Sequence, residues 1–163
     1  MGIDVMVNRI ALSLHRVTGL LCQGLLILIV AGQLAVVILR YVFGIGFIEL
    51  QDAVAYSFAA LVVLGLPVAF AEDGHVRVDV FRAGQSPRWQ RRFDMAGILA
   101  LLVPFFGLTL WWVWPDVAFS WSILEGSKET GGLPGFFIVK TMLPVACVLM
   151  LLQGLAALAV RHD

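Results

Sequence analysis

The sequence predicts an all-α integral membrane protein with four transmembrane helices in a single domain over residues 1–163. Hydrophobic residues make up 61% of the chain and charged residues only 13%, whereas an ordinary soluble domain has about 25% charged residues. Crossing a hydrocarbon core takes about 20 helical residues, because lipid offers the backbone no hydrogen-bond partner. Four apolar stretches meet this length: residues 17–39, 53–71, 95–114 and 136–160.

The first stretch follows Arg9 and Arg16, as the core of a signal peptide would. Its apolar run is too long for a signal peptide, however, and it ends at Leu39-Arg40-Tyr41 without the small residues of a cleavage site. We therefore expect it to remain as helix 1. The preceding residues carry apolar side chains at one-face helical spacing, which predicts an amphipathic lead-in at the membrane interface: Ile3, Val7, Ile10 and Leu14.

The second stretch contains Gly65 and Pro67, which weaken a helix but are tolerated in membranes where a neighbour packs closely. Helix 2 is therefore expected to bend there. Glu72-Asp73-Gly74 takes the chain out of the bilayer, and residues 75–81 then alternate valine with charged side chains. We interpret this stretch as an interfacial segment before the basic loop.

Helix 3 is predicted to begin at Ser86-Pro87, an N-cap residue followed by proline at the first helical position. Glycine-rich residues 131–134 predict a turn before helix 4. Between these helices, Val117, Trp121 and Leu124 have the spacing of a short helix on the outer surface. Small residues at one-face spacing in helices 3 and 4 also indicate that both require close neighbours.

The distribution of positive charge predicts that both termini are cytoplasmic. Eight of the eleven basic residues flank the helices on the side of the termini: Arg9, Arg16, Arg77, Arg82, Arg88, Arg91, Arg92 and Arg161. The loop between helices 2 and 3 is expected to contact lipid headgroups. The net charge of zero gives no indication of a nucleic-acid partner.

The polar residues of the spans indicate neither catalysis nor cofactor binding. Lys140 is the one charge inside a span; it is expected to snorkel to the surface, or to pair with a carboxylate of the outer loops or of a partner. No histidine lies in a span, which argues against haem, and neither a metal-ligand pattern nor another cofactor site is apparent. Gln23 and Gln33 of helix 1 form a polar seam that hydrogen-bonds a partner or packs within the chain.

Three more groups have simple structural interpretations. Cys22 and Cys147 are predicted to be small buried hydrophobic residues. Glu125 and Glu129 are predicted to lie on a solvated face. The tryptophans near the end of helix 3 are expected to form an aromatic belt at the interface: Trp111, Trp112, Trp114 and Trp121.

The order of several motifs along the chain resembles the small membrane subunit of the tripartite ATP-independent periplasmic (TRAP) transporters, the DctQ-type family. The most specific part is His75-Val76-Arg77-Val78-Asp79, which follows helix 2. The remaining residues that carry the resemblance are Arg40, Tyr41, Glu49, Asp52, residues 65–69 with Gly65 and Pro67, and Pro144. This family often opens helix 2 with a tryptophan and paired glutamates, whereas this chain has Ile48-Glu49-Leu50-Gln51-Asp52.

The resemblance implies a non-catalytic subunit of the bacterial inner membrane that scaffolds a large polytopic subunit. That subunit would carry sodium and substrate, organic acids being the commonest class, and a periplasmic solute-binding protein would serve the complex. Two other functions stay open. The chain could form a small carrier or channel by homo-oligomerisation, or it could anchor a soluble enzyme at the membrane.

Two hypotheses concern the polar residues that carry the resemblance. Arg40 is expected to contact the Glu49/Asp52 pair and so to order the connection between helices 1 and 2. His75 and Asp79 are expected to hold the interfacial segment to the helix ends.

Overall fold

The computed structural model describes residues 2–72 and 86–159. These residues form five α-helices and no strand: α1 Gly2–Tyr41, α2 Ile48–Ala71, α3 Pro87–Gly97, α4 Val103–Ser122 and α5 Phe136–Ala159. A π-helical turn, Ile98–Leu102, joins α3 to α4. Four helical stretches are long and apolar enough to cross a membrane, which confirms the predicted all-α class and number of spans.

The first helix is longer than its predicted span. It runs without a break from Gly2 to Tyr41, so the amphipathic lead-in and the apolar stretch belong to one helix. The part that could cross a membrane is Leu12–Tyr41, against the predicted 17–39. The apolar run locates the centre of the helix correctly, whereas polar residues at its start continue the same helical backbone.

The third span is also one continuous helical stretch, from Pro87 through the π-helical turn to Ser122. Ser86 occupies the N-cap position with extended backbone and Pro87 follows it at the helix start, as predicted. The prediction of a separate short helix on the outer surface is wrong. Pro115 lies inside α4, and Val117 is buried, so this segment completes the span. Leu124 lies beyond the end of the helix.

The helices pack as an open layer in which α2 and α5 form the centre. Helix α1 packs mainly against α2, and α4 packs against α5, so α1 and α4 occupy the two outer positions. The most apolar window of α5 has 44% of its residues buried and that of α2 has 22%, whereas the corresponding windows of α1 and α4 have none. The described helices therefore do not form a closed four-helix bundle.

Small residues bring helical segments together at two places in the layer. A Cβ atom added at Gly32 of α1 would lie 2.8 Å from the Cγ2 atom of Val54 in α2. One added at Gly154 of α5 would lie 2.9 Å from Leu102 in the π-helical turn. By contrast, Gly97 and Gly107, members of the small-residue pattern of the third span, have open space around them.

The core lies between α2 and α5, where Leu64, Ala146 and Leu149 form a buried cluster. Cys147 is fully buried, as predicted, and Cys22 is half-buried against this cluster. At the end of α2, the Nε2 atom of His15 lies 3.6 Å from a carboxylate oxygen of Glu72. This contact joins the first half of α1 to the end of α2.

Candidate functional site

The main polar cluster lies at one end of the layer, where Lys140 contacts two carboxylates. We call this end, which holds the connections 42–47 and 123–135, the distal end. The Nζ atom of Lys140 in α5 lies 3.1 Å from Asp116 Oδ2 in α4 and 2.8 Å from Glu125 Oε2 in the α4–α5 connection. The side chains of Lys140 and Glu125 are only 24% and 21% exposed. One lysine thus joins α4, α5 and the chain between them.

Glu125 is held by further hydrogen bonds. The Ser120 hydroxyl donates to its carboxylate, and Ser120 itself is fully buried. The backbone N–H of Glu125 donates to Ser120 O, and its carbonyl accepts from the N–H of Phe137. Hydrogen bonds from Lys140 and Ser120 hold the pKa of the Glu125 carboxyl below its usual value. The expectation that Glu125 lies on a solvated face is therefore wrong, because it is an internal partner of Lys140.

The α4–α5 connection is also fastened to α2. Asp52 Oδ2 accepts a hydrogen bond of 2.9 Å from the backbone N–H of Leu133, 81 positions away. The hydroxyl of Tyr56 donates to the carbonyl of the same residue, at 3.1 Å. Gly132 lies so close to Asp52 and Ser127 that a Cβ atom there would overlap both side chains. Asp52 and Tyr56 stand one helical turn apart, so one face of α2 holds both backbone groups of Leu133.

A second contact joins α4 and α5 beside the Lys140 cluster. The indole Nε1–H of Trp121 donates to Thr141 Oγ1 at 2.9 Å, and its ring meets that of Phe137 edge to face, with centroids 4.6 Å apart. Trp111 and Trp112 differ from it because each is 79% exposed. Trp121 therefore contributes to internal packing, whereas Trp111 and Trp112 remain at the surface as an aromatic belt requires.

The expected contact between Arg40 and the Glu49/Asp52 pair is not what the structure shows. Arg40 Nη2 donates instead to Gln51 Oε1 at 3.3 Å, which still links the ends of α1 and α2. Asp52 faces the α4–α5 connection, and Glu49 is exposed. Tyr41 is 81% exposed at the end of α1.

The other residues of the resemblance have structural positions or lie outside the described residues. Pro67 is fully buried within α2, whereas Gly65 has open space around it. Pro144 of α5 is buried and lines an apolar groove of about 970 Å³ between α4 and α5. His75 and Asp79 lie outside the described residues, so their proposed role stays a prediction.

Replacing Asp52 with alanine is expected to lower the free energy of unfolding by about 1–2 kcal/mol, because the partly buried N–H of Leu133 loses its acceptor. Thermal unfolding of the purified protein in detergent measures the effect. Glu49→Ala is the matched control, since it removes an exposed carboxylate one turn earlier on the same helix. Equal losses in the two variants would contradict the anchoring role of Asp52.

The arrangement of these groups fits structural anchoring. Lys140, Asp116 and Glu125 satisfy one another, and the residues around them belong to helix ends and one connection. Within the described ranges, no three His, Cys, Asp or Glu side chains stand close enough together to hold a metal ion. The groove beside the cluster is lined almost wholly by apolar side chains.

Comparison with known protein families identifies the chain. Residues 29–162 match the family described as "Tripartite ATP-independent periplasmic transporters, DctQ component". This chain belongs to the DctQ family. A search of curated proteins and a search of solved structures each returned no match.

Membership confirms the resemblance drawn from the motifs. The DctQ match begins in the second half of α1 and continues to the end of α5, so it includes all the distal contacts described above. A DctQ protein is the small component of a TRAP transporter, which also has a large membrane component and a periplasmic binding protein. With four helices able to span a membrane, this DctQ chain is a multi-pass membrane protein.

Proposed function

We propose that this chain is a non-catalytic scaffold for the large membrane component of its TRAP transporter in the bacterial inner membrane. The large component would bind substrate, of the organic-acid class, and couple its uptake to sodium. The small chain would provide a fixed wall against which the transporting part moves. The distal end would face the periplasm and both termini the cytoplasm, in keeping with the basic residues near the termini.

The observation that carries this proposal is the open packing of the helices. The apolar windows of α1 and α4 have no buried residue, and both helices lie at the outside of a layer. A closed small carrier would be expected to bury one side of every helix around a polar path. An open layer that is internally fastened at one end suits a subunit whose outer faces lie against another protein and lipid.

The positions of the charged side chains support a role without ion coupling. In the described spans, carboxylates occur toward the helix ends, at Glu49, Asp52, Asp94 and Asp116. Asp52 and Asp116 already have partners in the loop and on Lys140. Coupling sites normally place ionisable groups near the middle of the membrane and on broken helices, so such a site is assigned to the large component.

Reconstitution tests the proposal directly. The tagged chain is co-expressed with the large membrane component, purified in mild detergent, and placed in liposomes with the periplasmic binding protein and a sodium gradient. We expect an equimolar complex, sodium-dependent uptake by the pair, and no uptake by either membrane chain alone. Uptake by the small chain alone would support an autonomous carrier, and purification without the large component would refute the scaffold.

A further inference from the structure

Helix α1 carries two amide side chains on a surface that the described residues leave exposed. Gln23 and Gln33 are both exposed and lie within the span Leu12–Tyr41. Neither side chain makes a hydrogen bond with the described part of the chain. Both lie at least eight residues from the ends of this apolar stretch.

The two glutamines border a defined stripe. Between them, Leu26, Ile27 and Val30 are 52%, 69% and 54% exposed. The opposite side of α1 is the one that packs on α2, where Gly32 meets Val54. We call the exposed surface formed by Gln23, Leu26, Ile27, Val30 and Gln33 the α1 stripe.

Lipid alone does not satisfy the hydrogen-bonding groups of this surface. Each glutamine amide has two donor hydrogens and an acceptor oxygen, and hydrocarbon provides no partner for any of them. The other outer helix differs. Thr109 of α4 donates its hydroxyl to the carbonyl of Phe105 at 2.7 Å, so its polar group is already satisfied. Its neighbours Leu101, Phe105 and Leu108 form an exposed surface without polar side chains.

The spacing of the two amides describes the surface they fit. Ten residues along a helix correspond to a rise of about 15 Å and a rotation of about 80°. A single neighbouring helix that faces one amide is therefore poorly placed to hydrogen-bond the other. A surface built from at least two helices, with polar groups at two depths, accommodates both.

We propose that the α1 stripe is the face that docks on the large membrane component, through transmembrane helices that present hydrogen-bonding groups to Gln23 and Gln33. The apolar surface of α4 around Phe105 faces lipid. This inference rests on the proposed scaffold function and adds to it the face that makes contact. The two glutamines point in different directions and therefore need hydrogen-bonding groups on more than one helix. A large polytopic component has several adjacent helices that can provide them.

Site-specific photo-crosslinking of the co-expressed complex tests the orientation. The photoreactive residue p-benzoylphenylalanine is placed at Ile27 in the stripe or at Phe105 in α4, positions that are 69% and 64% exposed. Retention of the large component on the tagged chain is measured in the same samples before irradiation. We expect a crosslink to the large component from position 27 and none from position 105.

The outcomes separate the inference from the function on which it rests. If the large component is retained but crosslinks from position 105 and not from 27, the docking face is wrong while the scaffold stands. A crosslinked product between two copies of this chain from position 27 would likewise overturn the assignment. If no large component is retained, the scaffold and the docking face both fail.

The amides themselves are tested by Gln23→Leu and Gln33→Leu. Interhelical hydrogen bonds in membranes contribute modestly, so each variant is expected to weaken association with the large component about threefold. Thr109→Val is the matched control on α4 and should leave association unchanged. Unchanged association in the double glutamine variant, with the crosslink from position 27 also absent, would overturn the inference.

Discussion

Replacing Lys140 with methionine is expected to lower the midpoint of thermal unfolding on the order of 5 °C. The methionine keeps the length of the apolar stem but removes the cation that lies 3.1 Å from Asp116 and 2.8 Å from Glu125. Two carboxylates then share the distal end of α4 and α5 without a positive partner. Removing only one partner of an ion pair costs more stability than the intact pair contributes, because the charge that remains is poorly solvated.

Two further variants make this prediction specific. Lys128→Met removes a lysine from the exposed part of the same connection and should have little effect. Glu125→Gln added to Lys140→Met should recover part of the loss, since it removes one of the unpaired carboxylates. Equal unfolding midpoints for Lys140→Met and Lys128→Met would show that the ion pairs do not stabilise the distal end.

The helices could be predicted from the sequence because each one follows from local composition. Apolar runs located all four spans, and Ser86-Pro87 correctly marked the start of α3. The errors concern where helices begin and end. The apolar run predicts an end to the third span at Trp114, but α4 continues through Pro115 to Ser122, with Val117 buried.

The distal contacts were harder to predict because their partners are far apart in sequence. Lys140 was expected to need a carboxylate of an outer loop or a partner, or to snorkel, but only folding brings Asp116 and Glu125 to it. Arg40 meets Gln51 rather than Asp52, since neighbouring positions of a helix point about 100° apart. Asp52 instead faces Leu133, a contact with no local pattern in the sequence.

These contacts separate two kinds of surface on the chain. The distal ends of α2, α4 and α5 are fastened to one another by Asp52, Lys140 and Trp121, so this part has its polar groups satisfied internally. The middle of α1 has two amides without a hydrogen-bond partner among the described residues. A scaffold needs both properties, because a fixed shape is useful only if one face remains free to bind.

Replacing Gly132 with alanine is expected to lower the free energy of unfolding by about 2–3 kcal/mol, the range for overpacking together with a lost hydrogen bond. The new Cβ would overlap the Asp52 carboxylate and the Ser127 side chain. The Ser127 side chain is too short to move out of the way, so the connection must shift as a whole. That shift separates Asp52 from the N–H of Leu133 and loosens the anchor between α2 and the α4–α5 connection.

Gly126→Ala is the matched control for this substitution. It places the same methyl group in the same connection, where the nearest atom is Pro134 Cα at 3.8 Å, an ordinary van der Waals contact. The midpoints of thermal unfolding of the two variants are compared in detergent. Only the midpoint of Gly132→Ala should be lowered, by about 5–10 °C. The double variant Gly132→Ala/Asp52→Ala should lose less stability than the sum of the two single losses, because both changes break the same anchor. Full additivity would mean that Gly132 acts independently of Asp52.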